Sequence, residues 1–326
     1  MKSEIANLEA ASIETGGKFI GARVQRTEDE KLLRGQGQFV DDLKFENVLY
    51  SAVCRSPHAH ARIVSIDTAA ARALPGVHAV YLHADLPPSA QKRLPLLVPN
   101  PAIRSPMTQE VLASTEVCAV GDPIAFVVAD TRYIAEDACG LIEVEYDVMP
   151  VVANALSALA PGAPTMHSSL PDNLAAQIKI GFGEIDKAFE GAAHVVRETF
   201  WQNRGSAHPM ETRGYAAEYH AVTGQLTVWS AGQAPYLEKK MLVEILDWDP
   251  ERLRIIMNDV GGGFGPKVII YPEEALVAIA AWKLGRPVKW IEDRREHFYT
   301  ATQERDQWWD ISLALTEEGR ILGIKL

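Results

Sequence analysis

Apolar positions along this chain follow two periods. Residues 124–129 (IAFVVA) form a short unbroken apolar run, the pattern of a strand buried on both faces. Residues 132–141 place Ile134, Ala138 and Leu141 on one side of a helix, and residues 143–152 alternate as a second strand. Strand, helix and strand with short links predict a βαβ crossover with parallel pairing. Further on, residues 192–201, 214–220 and 225–230 read as strands, and 236–246 as a helix with Leu237, Met241 and Ile245 at four-residue intervals. Residues 252–260 predict a strand that runs into Gly261-Gly262-Gly263. A helix opens at Pro272, carries Glu273 and Glu274 in its first turn and stops at Gly285, so its start and stop signals agree. A strand over 288–291, a hairpin about residues 317–319 and a strand over 321–326 close the chain. Strands and helices in mixed order predict an α+β (mixed α/β) class.

Polar and small residues set the boundaries. Residues 1–19 read as a disordered arm, and the Ala-, Pro- and Ser-rich stretch 153–174 as a linker. The expected domains are therefore 20–152 and 175–326. The proline-rich stretch 87–106 predicts an irregular surface loop. The last residue, Leu326, falls inside an apparent strand, which predicts either a partner strand from a further chain or an edge strand at a natural terminus.

Charge narrows the class. With 32 Lys and Arg against 43 Asp and Glu, the net of -11 argues against nucleic acid or an anionic membrane as main partner. Three cysteines, Cys54, Cys118 and Cys139, stand far apart with no Cys-x-x-Cys pair, which suits a reduced protein without an iron–sulfur cluster of its own. No basic leader or bilayer-length apolar stretch occurs, so the expected location is the cytoplasm.

The strongest local motif is Asp259-Val260-Gly261-Gly262-Gly263-Phe264-Gly265-Pro266-Lys267. Four glycines in five residues after a strand give a backbone that something approaches closely, and free amides there make an anion or oxo-group cradle. It is equally readable as a flexible turn or bulge. Pro266 breaks the dinucleotide and Walker patterns, which leaves a Rossmann-type dehydrogenase weakly supported. A second motif, residues 208–214 (HPMETRG), offers His208 and Glu211 as a metal or acid–base pair. Its spacing suits a polar loop held by Glu211 better. Gln233, at a strand exit, offers an amide N–H₂ to whatever sits there, or else a helix-entry hydrogen bond. His58 and His60 read as surface residues, Cys118 as no nucleophile for want of an adjacent base, the 292–296 run (EDRRE) as a solvated face, and Trp308 and Trp309 as packing residues.

In order, these motifs resemble the molybdopterin-binding large subunit of the molybdenum hydroxylases, the xanthine dehydrogenase, aldehyde oxidase and carbon monoxide dehydrogenase family. The match runs through residues 26–29, 35–42, 55–63 (RSPHAHARI), 74–77, 121–123, 127–129, 144–146, HPMETRG, Gln233-Ala234-Pro235, the glycine loop and 288–294 (VKWIEDR). It implies a hammerhead domain over 20–152, then the first molybdenum-cofactor-binding domain, and corresponds to the N-terminal half of such a subunit. In the family the pterin dithiolene ligates the metal, which removes the need for protein ligands. Carried over by position, Gln233 resembles the residue whose amide contacts an oxo group on molybdenum. Gly261, Gly262, Gly263, Phe264 and Gly265 resemble the loop nearest the cofactor, with Phe264 walling the substrate space.

The resemblance also carries departures. Pro266 stands where the family often has glycine, removing one N–H. Val268 stands where purine-oxidising members carry a carboxylate, which turns the expected substrate from xanthine toward an aldehyde or apolar N-heterocycle. The family's catalytic base, a glutamate of the second molybdenum domain, has no counterpart here, so no catalytic residue is assigned in this chain. The implied cofactor is molybdenum-molybdopterin in its cytosine dinucleotide form. The implied partners are a complementary molybdenum-domain chain, an iron–sulfur subunit and an FAD subunit. The rival expectation is a non-catalytic fragment or assembly module.

Overall fold

The computed structural model describes residues 25–326, so the arm expected over 1–19 and the first residues of the next domain lie outside the described residues. The chain divides into two compact units, Met1–Gln38 and Phe39–Leu326. Of the first, residues 25–38 are described: a short helix, Asp29–Leu33, followed by Gly35 with a positive φ of 68°.

The second unit is built on a seven-stranded sheet. Its strands are β1 (Leu49–Arg55), β3 (Val77–Tyr81), β5 (Pro123–Ala129), β8 (Gly214–His220), β9 (Gln225–Ser230), β10 (Leu253–Ile256) and β11 (Val288–Ile291). They lie in the order β10-β9-β8-β11-β1-β5-β3. Strand β2 (Ala61–Asp67) lies between β4 (Glu116–Val117) and β6 (Glu143–Val148) in a second sheet. A third comprises β7 (His194–Gln202), β12 (Gln307–Leu315) and β13 (Ile321–Lys325), in the order β13-β12-β7. Four helices matter below: α1 (Arg132–Gly140), α2 (Pro235–Leu246), α3 (Pro272–Leu284) and α4 (Arg294–Thr300).

The large sheet joins the two sequence domains. Strand β1 pairs in parallel with β11, Leu49 opposite Val288, and antiparallel with β5. Alternate residues of β5 serve opposite faces, as the pleat requires. Phe126 and Val128 pack with Leu226, Leu242, Leu276 and Val288, while Ala125, Val127 and Ala129 pack with Ala135 and Ala138 of α1. Fully burying Phe126 contributes roughly 1.5–3 kcal/mol, and it does so in a core drawn from both sequence domains.

The expected βαβ crossover does not form. Strand β5 pairs antiparallel with β1 and β3, and β6 joins a different sheet, antiparallel to β2. The residue patterns give the reason. All seven residues of β5 are buried, whereas β6 (EVEYDV) has charged residues on alternate positions and fits a sheet with one solvated face. Helix α4 is not predicted by the sequence pattern, and β12 is implied there only as the first arm of the hairpin about residues 317–319. The terminal hairpin forms as expected, with β12 and β13 antiparallel, and Trp308 stacks on Trp201 with ring centroids 5.6 Å apart. Residues 153–174 are held in place: the Asn173 amide donates to Ala158 and Pro164 carbonyls and accepts from the Met166 amide. No helix among the described residues is long and apolar enough to cross a membrane.

Candidate functional site

Two segments far apart in sequence meet at the end of the large sheet. Gln233 follows β9, and Gly261–Lys267 follows β10; because β9 and β10 are parallel neighbours, their C-terminal exits lie side by side. The Gln233 side-chain oxygen, Oε1, accepts from the amides of Gly265 (3.1 Å) and Lys267 (3.2 Å), and the Gln233 backbone amide donates to the Lys267 carbonyl (3.0 Å). Two backbone donors on Oε1 fix which way the side-chain amide faces, so Nε2 is the end left to donate outward. Gln233, Phe264 and Gly265 are exposed.

The loop earns its glycines by geometry. Gly262 and Gly265 have φ of 97° and 107°, and a Cβ on Gly263 would stand 2.3 Å from the Gln233 Cδ. Phe264, a non-glycine residue 74% exposed, is held at φ 57°, and a Cβ on Gly262 would collide with its ring at 2.8 Å. A left-handed backbone at a bulky residue costs on the order of 1 kcal/mol, and the buried anchors on either side hold it. Val268 closes a turn, its amide donating to the Gly265 carbonyl (3.0 Å), and is half-buried.

Glu211 braces the loop from beneath. Its Oε2 accepts from the Gly261 amide (2.8 Å) and from Lys267 Nζ (3.0 Å), and its own amide donates to the Gly261 carbonyl (3.2 Å). Burial lowers the Lys267 ammonium from its ordinary value despite Glu211 beside it. The HPMETRG stretch is thus a loop held by Glu211. His208 packs against Phe298 (4.7 Å) and His297 (5.5 Å) rather than pairing with Glu211 for chemistry.

Next to it, Arg213 is wholly buried. It donates to Glu292 Oε1 through Nη2 (2.5 Å) and Nε (3.0 Å), to Glu273 Oε2 (3.1 Å) and to Thr300 Oγ1 (2.7 Å), and lies 3.9 Å above the Tyr271 ring. Arg55 shares Glu273 through its other oxygen (2.6 Å) and also reaches Glu296 (2.5 Å). Burial alone would push the Glu292 carboxyl up. Hydrogen bonds from His297, Arg213 and Thr300, with the guanidinium charge, outweigh it and hold that carboxyl well below the usual range. This corrects the solvated face expected for residues 292–296, since Glu292 is 2% exposed. The interleaved signs arise because Glu292 and Glu296 point inward to arginines from distant segments. Three of the sequence motifs, around Arg55, Arg213 and Glu292, therefore meet in one buried ion network.

Under Gln233 lies a second acidic pair. A Cβ on Gly232 would stand 2.5 Å from Met257 Cε and 2.9 Å from both Glu238 Oε2 and Ser230 Oγ. Burial pushes the Glu238 carboxyl up to about 8, and burial together with Glu238 raises Glu274 well above its ordinary value. The sequence marks Glu274 only as a helix-start residue and Glu211 only as holding its own HPMETRG loop, and singles out neither Glu238 nor Lys267 as an anchor. Each is one ordinary charged residue whose partner is distant along the chain. Elsewhere His58 sits edge-on to Tyr146 at 4.8 Å, and His60 and Cys118 come together with Glu116.

A glycine loop and a glutamine thus lie at adjacent strand exits, braced by buried ion pairs, and comparison with known proteins identifies the domains that carry them. The model for the molybdopterin cofactor-binding domain matches residues 166–326, and that for the aldehyde oxidase and xanthine dehydrogenase a/b hammerhead domain matches residues 34–150. The chain belongs to this molybdenum hydroxylase family, with the fold expected for its large, molybdopterin-binding subunits. It is 39% identical over 306 residues to the nicotine 6-hydroxylase large subunit of Paenarthrobacter nicotinovorans, covering 94% of this chain and 37% of that one. It is 35% identical to the carbon monoxide dehydrogenase large chain of Afipia carboxidovorans, covering 98% of this chain and 40% of that one. The crystal structure of quinoline 2-oxidoreductase from Pseudomonas putida 86 superposes with a TM-score of 0.84 at 40% identity, covering 92% of this chain and 38% of that one. The chain spans about 40% or less of the length of these three relatives.

Proposed function

We propose that this chain is the molybdopterin-binding part of an oxidoreductase that hydroxylates an aldehyde or an N-heterocyclic carbon. The observation that carries the reading is the Gln233 amide, locked by two backbone donors so that Nε2 faces out beside the glycine loop. The residues fit an anionic, oxo-bearing group. The amides of Gly262, Gly263 and Phe264 have no acceptor among the described residues, and together with Gln233 Nε2 they form a preorganised donor set. When bound, molybdenum-molybdopterin supplies the two-electron chemistry that places water-derived oxygen on an electron-poor carbon.

The chain's own residues orient and select. Gln233 and the loop amides hold the anionic group, Gly263 makes room for the Gln233 side chain, and the exposed Phe264 ring walls the substrate space. Val268 offers no hydrogen bond, which favours an apolar heterocycle or aldehyde over a purine. The reading extends to a cytosine dinucleotide form of the cofactor and to a cytoplasmic location. The chain's partners would be iron–sulfur and FAD subunits that take up the electrons and a complementary molybdenum-domain chain that brings the base. In the rival reading the chain is a non-catalytic assembly module.

Molybdenum and pterin analysis of the intact assembly is the test. One molybdenum per chain is the expected result. An intact assembly free of both metal and pterin would defeat the enzyme and favour the assembly module.

A further inference from the structure

Strands β2 and β4 pair with Ala61 opposite Val117, which sets His60, just before β2, opposite Cys118, just after β4. Glu116 lies in β4 itself, and His167 comes in from the long connection that follows β6. The His60 Nε2, a Glu116 carboxylate oxygen and the Cys118 Sγ lie within 4.8 Å of one another. His167 Nδ1 is 3.1 Å from that sulfur. Glu116, Cys118 and His167 line a cleft of about 530 Å³, which gives small ions access.

His60 supplies the second observation. Its Nδ1 is 3.0 Å from the Pro150 carbonyl, which can only accept, so Nδ1 bears the hydrogen and the neutral ring's lone pair sits on Nε2. The residue is 4% exposed, and Nε2 is buried with no hydrogen-bond partner, 3.7 Å from Glu116 Oε2. A buried lone pair facing a carboxylate is unfavourable until a cation stands between them. The supporting contacts are those of a ligand shell: the Pro150 carbonyl aims the imidazole, while Ser168 donates to Glu116 through Oγ (2.5 Å) and its amide (3.2 Å).

We propose that His60, Glu116 and Cys118, with His167 as the fourth ligand, form a site for a borderline-soft divalent cation, zinc above all. Imidazole, thiolate and carboxylate together match zinc and disfavour magnesium or calcium, which take oxygen ligands alone. Ligand bonds of about 2.0–2.3 Å give edges of roughly 3.5 Å, so the His60, Glu116 and Cys118 atoms close by about an ångström on binding, while His167, in contact with the sulfur but outside that trio, moves further in. The ion ties the connection carrying His167 to the β2–β4 edge. It is separate from the molybdopterin reading and does not depend on it.

Cobalt(II) is the probe, added to the chelator-treated, thiol-reduced full chain in its assembly. One equivalent should bind and produce a thiolate-to-cobalt charge-transfer band with the intense visible bands of four-coordination. Cys118→Ser should abolish the charge-transfer band while Cys54→Ser keeps it, and His60→Ala should weaken zinc binding tenfold or more. Should Cys118→Ser fail to fold, His167→Gln serves instead, expected to weaken zinc binding while keeping the sulfur band. A wild-type protein with its thiols reduced and no such band overturns the site, as does a band that survives Cys118→Ser. None of these readouts involves molybdenum.

Discussion

Gly263 and Gln233 are fitted to each other: a methyl group on the glycine would stand 2.3 Å from the glutamine Cδ. Gly263 is also one of the loop glycines with no positive φ, so an added side chain there acts through contact alone. Gly263→Ala should therefore displace the Gln233 amide, with overpacking of about 1–3 kcal/mol. Molybdenum content per chain should fall at least severalfold. Gly265→Ala is the comparison, since a Cβ there meets open space and adds backbone strain only. Equal metal loss in both variants would remove the steric argument.

The two ends of the Gln233 amide carry separate jobs. Gln233→Glu keeps an oxygen for the Gly265 and Lys267 amides but replaces the outward donor with a negative charge. Turnover of the complete enzyme should drop about 10²–10³-fold, the usual cost of one preorganised donor, with thermal stability nearly unchanged. Gln233→Ala should lose similar activity and also loosen the loop, read as faster amide exchange at Gly265 and Lys267. Full turnover in the glutamate variant would take Gln233 out of the site.

Arg213 holds two buried carboxylates, Glu273 and Glu292. Arg213→Leu strips one guanidinium from both, leaving Glu273 with Arg55 alone and Glu292 with only His297 and Thr300 in a dry interior, which costs about 3–5 kcal/mol. The urea midpoint should fall accordingly even though the substitution adds apolar volume. A midpoint unchanged from the parent would mean that the network is solvated.

Glu238 gives a pH dependence of definite sign. Its carboxyl titrates from 4.5 to about 8 on folding, so between these values the folded chain keeps a proton that the unfolded chain releases. Stability therefore falls as pH rises through that window and levels off above it. Glu238→Gln should reduce the slope by one proton, leaving the variant close to the parent near pH 5 and more stable near pH 8. Parallel urea profiles across the range would refute a buried, protonated Glu238.

Local signals were legible where one segment settles its own conformation. Helix α3 has proline at its first position and ends at Gly285 in the left-handed region, and strands β8, β9 and β11 have the limits their patterns predict. The Gln233–glycine loop convergence was legible through family resemblance, because nothing local in Ala231-Gly232-Gln233 announces it. What pattern could not supply was partner choice. Strands β5 and β6 were recognised but not their separate sheets, and Glu292 looked solvated because its counter-ion, Arg213, comes from another segment.

The parallel pairing of Leu49 with Val288 has a kinetic corollary. On the ribosome, β1 and β5 emerge long before β11, so one edge of β1 waits unpaired and aggregation-exposed while the intervening chain is made. The two domains that family models delimit are accordingly units of descent more than units of folding. Cutting between them would strand an open β edge on each side and split a shared interior, which makes module swapping at that boundary a poor engineering route.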